Sequence, residues 1–232
     1  MSSCSAHPDG SQCPGPWLHA PVGCVVTGID GGAGEEQAAL AIARALRTQG
    51  LSVAVMTPAI SGEWRESGRW TSLRLQRLAA AGTFRLPESA LCPYRLPPAP
   101  DLAVAAARGG VAIDPEVVAD AHDVLATWVD ALVVMGVGGL CARLGPALSA
   151  GQMLARLALP LVLVRAAGAG CKASALHGAH VAGWLEAEEG ADGLGKQEDV
   201  QGRAAGAPPR LGSLSAVEPG ALLQALRGGA WP

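Results

Sequence analysis

The chain has 232 residues, half of them hydrophobic, which is enough apolar material for one sizeable core. Its formal net charge is −3, so the composition gives no electrostatic reason to bind nucleic acid or an anionic membrane. The six cysteines include no CxxC pair, and no apolar run approaches the length of a membrane span. No lysine or arginine precedes Arg44, so the basic start of a signal peptide is missing. We therefore expect a cytoplasmic protein with reduced cysteines, of which Cys24 and Cys141 are expected to be small core residues.

The first half of the chain predicts a disordered lead-in followed by alternating strands and helices. Residues 1–21 are rich in Ser, Pro, Gly and His, a composition typical of a disordered terminus. Apolar runs predict strands at 23–27 and 52–56, and helical spacing predicts helices at 35–49 and 72–81. Gly50 is suited to the position that follows the end of the first helix. A proline-rich passage at 87–100 separates this half from the next.

The second half continues the alternation. Helices are predicted at 101–108 and 115–129, with Asp101 and Asp114 as N-caps, and strands at 131–135 and 159–165. A short helix is expected after the glycines at 168–170, followed by an apolar run at 180–185. The segment 186–209 has too little apolar content to pack and is predicted to be flexible. A strand at 211–214 and a helix at 219–227 end the pattern.

Continuous apolar strands that alternate with helices indicate an α/β fold, a parallel sheet with helices on both faces. We expect one domain over residues 22–228, P-loop NTPase-like because a glycine-rich turn from Gly28 to Gly34 joins its first strand to its first helix. Three of the predicted strands run into glycine loops, beginning at Gly28, Gly136 and Gly168. Because ligands of open α/β sheets bind at the carboxyl ends of the strands, these loops are expected to converge at a site.

The first glycine loop has the outline of a phosphate-binding loop without its usual charges. In such loops the last glycine is followed by a lysine that reaches the phosphates and a Ser or Thr that binds Mg²⁺. Here Gly34 is followed by Glu35 and Glu36. Acidic residues at a helix start interact favourably with the helix dipole, so we interpret both as an ordinary helix start.

The order of motifs resembles the dethiobiotin synthetase family, ATP-dependent enzymes that close the ureido ring in biotin synthesis. The family pattern V-T-G-T-D-T-x-V-G-K-T is matched by residues 26–36, and K-P-V-A-S-G by residues 57–62. The pattern V-E-G-A-G-G is matched by residues 134–139, and L-P-V-x-L-V by residues 159–164. Weaker matches lie in order between and after them, at 71–76, 92–94, 99–104, 170–174 and 182–188.

This resemblance implies an ATP- and Mg²⁺-dependent carboxylation and ring closure of 7,8-diaminopelargonic acid by a homodimer. It also implies Ser61 as a substrate contact. The positions that match the family's nucleotide-binding loops are all glycines: Gly28, Gly34, Gly136, Gly138 and Gly139.

The charged positions of the family do not match. The two family lysines that hold phosphates and the carbamate are replaced by Glu35 and Thr57. The three Mg²⁺ positions hold Glu36, Thr71 and Met135. Two family asparagines, one reading adenine and one contacting substrate, are replaced by Ala187 and Ala173. We therefore expect lost binding of ATP and Mg²⁺, with no catalytic residue and no metal ligand assigned.

The replacements leave several hypotheses open. The first is a family member with an impaired or absent catalytic site that serves as a non-catalytic partner or as a regulatory pseudoenzyme. Its rival is an active dethiobiotin synthetase whose site is rebuilt from Lys172, Arg65 or Arg69. A third is a decaying gene product, against which the retained glycine turns argue.

Overall fold

A computed structural model describes residues 22–28, 34–62, 64–66, 69–166, 180–187 and 209–227. The strands are β1 (Val22–Thr27), β2 (Val53–Met56), β3 (Ala59–Ser61), β4 (Trp64–Glu66), β5 (Arg69–Thr71), β6 (Tyr94–Leu96), β7 (Ala131–Met135), β8 (Leu161–Ala166), β9 (Val181–Ala187) and β10 (Arg210–Ser213). The helices are α1 (Glu35–Thr48), α2 (Leu73–Ala81), α3 (Glu88–Leu91), α4 (Leu102–Arg108), α5 (Pro115–Ala126), α6 (Ala150–Ala155) and α7 (Pro219–Arg227).

Six strands form one parallel sheet in the order β10-β9-β8-β1-β7-β2. The four strands expected to share a parallel sheet, now β1, β2, β7 and β8, all belong to it, which confirms the predicted α/β class. β1 lies between β7 and β8, with Val26 opposite both Met135 and Val162. The carboxyl ends of β1 and β7 are therefore neighbours at one edge of the sheet.

Helices cover both faces of this sheet, because its central strands are apolar on both sides. On one face, α1 and α7 pack with residues such as Ile42 and Leu222. On the other face, α3, α4, α5 and α6 contribute Leu91, Ala105, Val118, Met153 and others. β7 is buried along its whole length, and β1 is buried from Cys24 to Thr27.

Several helix ends follow the predicted capping chemistry. The side chains of Asp101 and Asp114 accept backbone N–H bonds at the starts of α4 and α5. Ser72, predicted as the first helical residue, is instead the N-cap of α2 and accepts from the Leu75 amide at 3.2 Å. Gly50 follows α1 with a positive φ of 79°, a conformation that glycine adopts without strain.

Other elements differ from the prediction. α5 ends at Ala126 rather than at residue 129, because Thr127 and Trp128 donate to carbonyls three residues back and close the helix in a tight turn. The proline-rich passage contains α3 and β6, and α6, the β3–β6 pair and the β4–β5 hairpin were not predicted. The prediction for Cys141 was wrong, since it is exposed in the loop after β7, whereas Cys24 is fully buried. Burial raises the pKa of the Cys24 thiol to about 12.

Some predictions fall outside the described residues. These are the lead-in at 1–21, the short helix after residue 170 and most of the segment 186–209, whose first two residues belong to β9. The extent of one domain over 22–228 stays a prediction. Within the described part of the chain, no helix has the length and apolar character that a membrane crossing requires.

Candidate functional site

The candidate site lies where the loops that follow β1 and β7 meet. The Gly136 amide continues the pairing of the strands by donating to the Val26 carbonyl at 2.8 Å. Further along the same loop, the Leu140 amide donates to the Gly28 carbonyl at 3.0 Å. These two bonds hold two of the three predicted glycine loops side by side at the carboxyl edge of the sheet, as expected, and the third, at Gly168, lies outside the described residues.

The side chain of Glu35 fills the space between these loops. Its Oε1 atom accepts hydrogen bonds from Thr27 Oγ1 at 2.8 Å, from the Gly28 amide at 3.1 Å and from the Gly139 amide at 3.0 Å. Its Oε2 atom accepts from the Gly138 amide at 3.1 Å. We call these four donor groups, of Thr27, Gly28, Gly138 and Gly139, the glycine cradle.

The backbone of the second loop is shaped to aim two consecutive amides at one point. Gly138 and Gly139 have φ values of 96° and 91°, a left-handed conformation that side chains rarely adopt. Successive N–H groups turned in this way form a concave site for an anion. In this protein the anion that they meet is the carboxylate of Glu35.

Gly136 leaves the space in which this contact forms. A Cβ atom at this position would lie 2.5 Å from Thr27 Oγ1 and 2.8 Å from Glu35 Oε1. Both separations are shorter than a methyl group tolerates. The glycine at this family-matched position is therefore required by the close approach of Thr27 and Glu35.

The hydrogen bonds define the chemical form that the cradle accommodates. Thr27 has one hydroxyl hydrogen, and Glu35 Oε1 at 2.8 Å is a closer acceptor than the Gly28 carbonyl at 3.2 Å. Four donors thus face the carboxylate, which matches the ionised group because this form only accepts. Glu35 is 4% exposed, and the described residues contain no salt bridge to it. Its charge is stabilised by uncharged donors.

Glu36 turns away from the cradle. Its two carboxylate oxygens pair with Arg74 Nε at 3.2 Å and with Arg77 at 3.1 Å, both on α2. The two adjacent glutamates therefore differ in role. Glu36 joins two helices near the surface, whereas Glu35 joins two loops in the interior.

Two of the other replaced positions, Met135 and Thr57, are buried, and Ala173 lies outside the described residues. Met135 is 3% exposed and packs in the core beneath α1, and Thr57 is fully buried with its hydroxyl directed to the Ala59 carbonyl at 3.4 Å. Thr71 is the last residue of β5. Among the described residues, no three His, Cys, Asp or Glu side chains group together as a metal site would require.

The other predicted site residues have different locations. Gly34 precedes α1 with a φ of 85°, and a Cβ there would come within 3.2 Å of Val164. Ser61 ends β3, and no hydrogen bond joins it to the cradle in the described part of the chain, so its role as a substrate contact stays a prediction. Arg65 and Arg69 belong to the β4–β5 hairpin, and Lys172 lies outside the described residues.

The residues at the family's Mg²⁺ positions do not fit this ion. Mg²⁺ needs several hard oxygen ligands, whereas the three family positions hold a buried thioether, a threonine and a glutamate paired with arginines. The three backbone amides of the cradle already donate to Glu35, so they are not available to a phosphate oxygen while this carboxylate is in place. The sequence indicated the lost charges but not the inward direction of Glu35 or the part played by Thr27.

The parallel sheet covered on both faces and the paired glycine loops define a P-loop NTPase-like α/β protein. A family model described as an AAA domain matches residues 23–182. Similar proteins include the ATP-dependent dethiobiotin synthetase BioD of Ralstonia nicotianae, 36% identical over 172 residues, which cover 70% of this chain and 74% of that protein. The protein of the same name from Aromatoleum aromaticum is 32% identical over 219 residues, covering 84% of this chain and 96% of its own length. The chain belongs to the dethiobiotin synthetase family.

A solved structure, that of a DUF1611 family protein from Anabaena variabilis, matches 72% of this chain. The match spans 46% of that protein, with 16% identity and a TM-score of 0.41. A likeness at this level carries no argument about function.

Proposed function

We propose that this protein is a dethiobiotin-synthetase-like member of the biotin pathway family that neither binds Mg-ATP productively nor catalyses the family reaction. The observation that carries the proposal is the carboxylate of Glu35 in the glycine cradle, where it accepts four hydrogen bonds. Such a protein would act as a non-catalytic partner or a regulatory pseudoenzyme.

The loss of metal ligands supports this proposal independently of Glu35. The thioether of Met135 is no ligand for a hard cation, and the carboxylate of Glu36 is engaged by Arg74 and Arg77. The buried Thr57 supplies no positive charge where the family has a lysine. ATP-driven carboxylation would therefore lack both its metal and the cation at position 57.

Electrostatics gives the size of the effect. Two unit charges ~4 Å apart near a protein surface interact by about 4 kcal/mol, so exchanging Lys for Glu changes the interaction by roughly 8 kcal/mol. A micromolar complex has a total binding free energy of about −8 kcal/mol. Repulsion between Glu35 and a polyphosphate is therefore large enough to abolish binding in this orientation.

The test combines a binding and an activity measurement. Calorimetry with sub-millimolar Mg-ATP should detect no binding, and incubation with 7,8-diaminopelargonic acid, bicarbonate and Mg-ATP should yield no dethiobiotin. The Ralstonia nicotianae relative, assayed in parallel, serves as the positive control. Stoichiometric micromolar binding together with product formation would contradict the proposal and favour a site rebuilt with Lys172, Arg65 or Arg69.

We also propose that the protein forms a homodimer, as the family resemblance implies. Light scattering coupled to size-exclusion chromatography should give about twice the mass of the 23.3 kDa chain. A mass equal to one chain at micromolar concentration would contradict the dimer. The cytoplasmic location stays a prediction from the sequence.

A further inference from the structure

We infer that Glu35 is an internal ligand of the glycine cradle, and that the cradle is a binding site for one small oxyanion of the carboxylate class. The inference deepens the proposed function, on whose site it rests. It assigns the side chain a structural role, which is to hold the loops after β1 and β7 together.

The first argument is that the contact joins distant parts of the chain. Gly138 and Gly139 are 103 and 104 residues from Glu35. None of the four donors belongs to α1, so the side chain is not capping its own helix. One carboxylate thus bridges two loops that the fold brings side by side.

The second argument is that the cradle would be costly to leave without an acceptor. The Glu35 side chain is enclosed, and the amide of Gly139 that it satisfies is buried with it. Buried N–H groups that lose their acceptor pay the full cost of desolvation. A free carboxylate that enters the same space would restore the acceptor and should therefore stabilise a variant that lacks the side chain.

The experiment uses Glu35→Ala, which removes the carboxylate and leaves room for a formate ion. The melting temperature is measured in sodium chloride and then in sodium formate at equal ionic strength. We expect the variant to melt at least ~4 °C below the wild type in chloride, as lost buried hydrogen bonds do in a chain of this size. Formate should recover a saturable part of this loss in the variant and should shift the wild type no more than chloride does.

Glu36→Ala is the matched control, because it removes the neighbouring carboxylate from the same helical turn but from outside the cradle. Its melting temperature should respond equally to formate and to chloride. The inference is overturned if folded Glu35→Ala melts like the wild type, or if formate stabilises it no more than it stabilises Glu36→Ala.

A measurement on the wild type decides the matter if Glu35→Ala does not fold. The amides of Gly138 and Gly139 should be protected from hydrogen exchange, since both donate to Glu35. Exchange at the rate of an open loop would overturn the inference. Neither experiment contains nucleotide or magnesium, so failure here leaves the proposed lack of catalysis standing, and Mg-ATP binding by the wild type would contradict that proposal alone.

Discussion

Gly136 is the residue whose lack of a side chain the site needs most. We predict that Gly136→Ala destabilises the protein by about 1–3 kcal/mol, the usual cost of forcing a methyl group into a packed interior. The new Cβ would meet Thr27 Oγ1 at 2.5 Å and Glu35 Oε1 at 2.8 Å, so the carboxylate would be pushed from the cradle. Urea unfolding followed by circular dichroism measures the change.

Gly145→Ala provides the control for this prediction. A Cβ at Gly145 would meet no atom within 4 Å, although the residue lies in the same connection between β7 and α6. Its stability should stay within about 0.5 kcal/mol of the wild type. Equal effects of the two substitutions would show that the space beside Thr27 and Glu35 does not limit the residue at 136.

Cys24 and Cys141 should differ sharply in reactivity. Burial raises the pKa of Cys24 from 9.0 to about 12, so at pH 8 it carries almost no thiolate, the form that reacts with alkylating reagents. Its reactivity should rise only as the pH approaches that value. Cys141 is exposed and should be labelled rapidly by iodoacetamide. Peptide mass spectrometry after timed labelling compares the two, and fast labelling of Cys24 in the folded protein would contradict the prediction.

At the residue scale, the sequence revealed which charges are missing but not what replaces them. The acidic pair at 35–36 indicated a helix start, and α1 does begin at Glu35. The inward direction of Glu35 depends on amides at Gly138 and Gly139, more than 100 residues away. Local sequence carries no signal for such a contact, and the same limit applies to the hydroxyl of Thr27.

At the scale of elements, a polar clip fixes the starts of two neighbouring strands. Asp130 precedes β7, and its Oδ2 atom accepts from the amide of Ser52 at 2.9 Å and from its hydroxyl at 2.6 Å. In return the Asp130 amide donates to Ser52 Oγ at 2.9 Å. Because hydrogen bonds to a carboxylate are stronger than neutral ones, the clip should stabilise the pairing of β2 with β7.

We predict that Asp130→Ala lowers the free energy of unfolding by about 1.5–3 kcal/mol, the range for hydrogen bonds to charged groups. Asp120→Ala, an exposed aspartate on α5, should change it by less than about 0.5 kcal/mol. Denaturant unfolding of both variants provides the comparison. An Asp130→Ala variant as stable as the control would mean that the register of β2 and β7 is held by apolar packing alone.

The elements that the sequence predicted share strong local signals. β1, β7 and β8 are apolar runs long enough to be recognised, and the N-caps Asp101 and Asp114 marked where α4 and α5 begin. The unpredicted elements are short or depend on distant partners. α3 has four residues, too few for a helical period, and β3 exists only because Ala59 pairs with Tyr94. The proline-rich composition of residues 87–100 carries no clear helix or strand pattern, so α3 and β6 were not predicted.

At the scale of the whole molecule, the question is whether the backbone of the family's binding loops is retained although the charged residues are replaced. The parallel sheet and the neighbouring glycine loops are those that the strand and helix pattern predicted, and the amides of Gly138 and Gly139 converge on an anion. If the loop backbone is retained, restoring the charged residues should restore phosphate binding. Glu35→Lys combined with Glu36→Thr restores the family's loop cation and hydroxyl.

We predict that this double variant binds ATP at least tenfold more tightly than the wild type, which corresponds to about 1.4 kcal/mol. The substitution has two effects in the same direction, since it removes the carboxylate from the cradle and adds a positive charge beside it. Without ligand, the variant should melt below the wild type, because an ammonium cannot accept from the four donors that Glu35 satisfies. ATP should raise its melting temperature, and calorimetry should give the affinity.

Turnover should stay absent in the double variant, because Mg²⁺ and the carbamate still lack partners. Adding Thr57→Lys, Thr71→Asp and Met135→Glu supplies the missing family groups, but Thr57 and Met135 are buried, so their new charges should destabilise the protein until Mg-ATP binds. The variant with all five substitutions should therefore be stabilised by Mg-ATP and, at best, form dethiobiotin slowly. If the double variant folds normally and yet binds ATP no better than the wild type, the loop from Gly28 to Gly34 has lost its phosphate-binding shape as well as its charges.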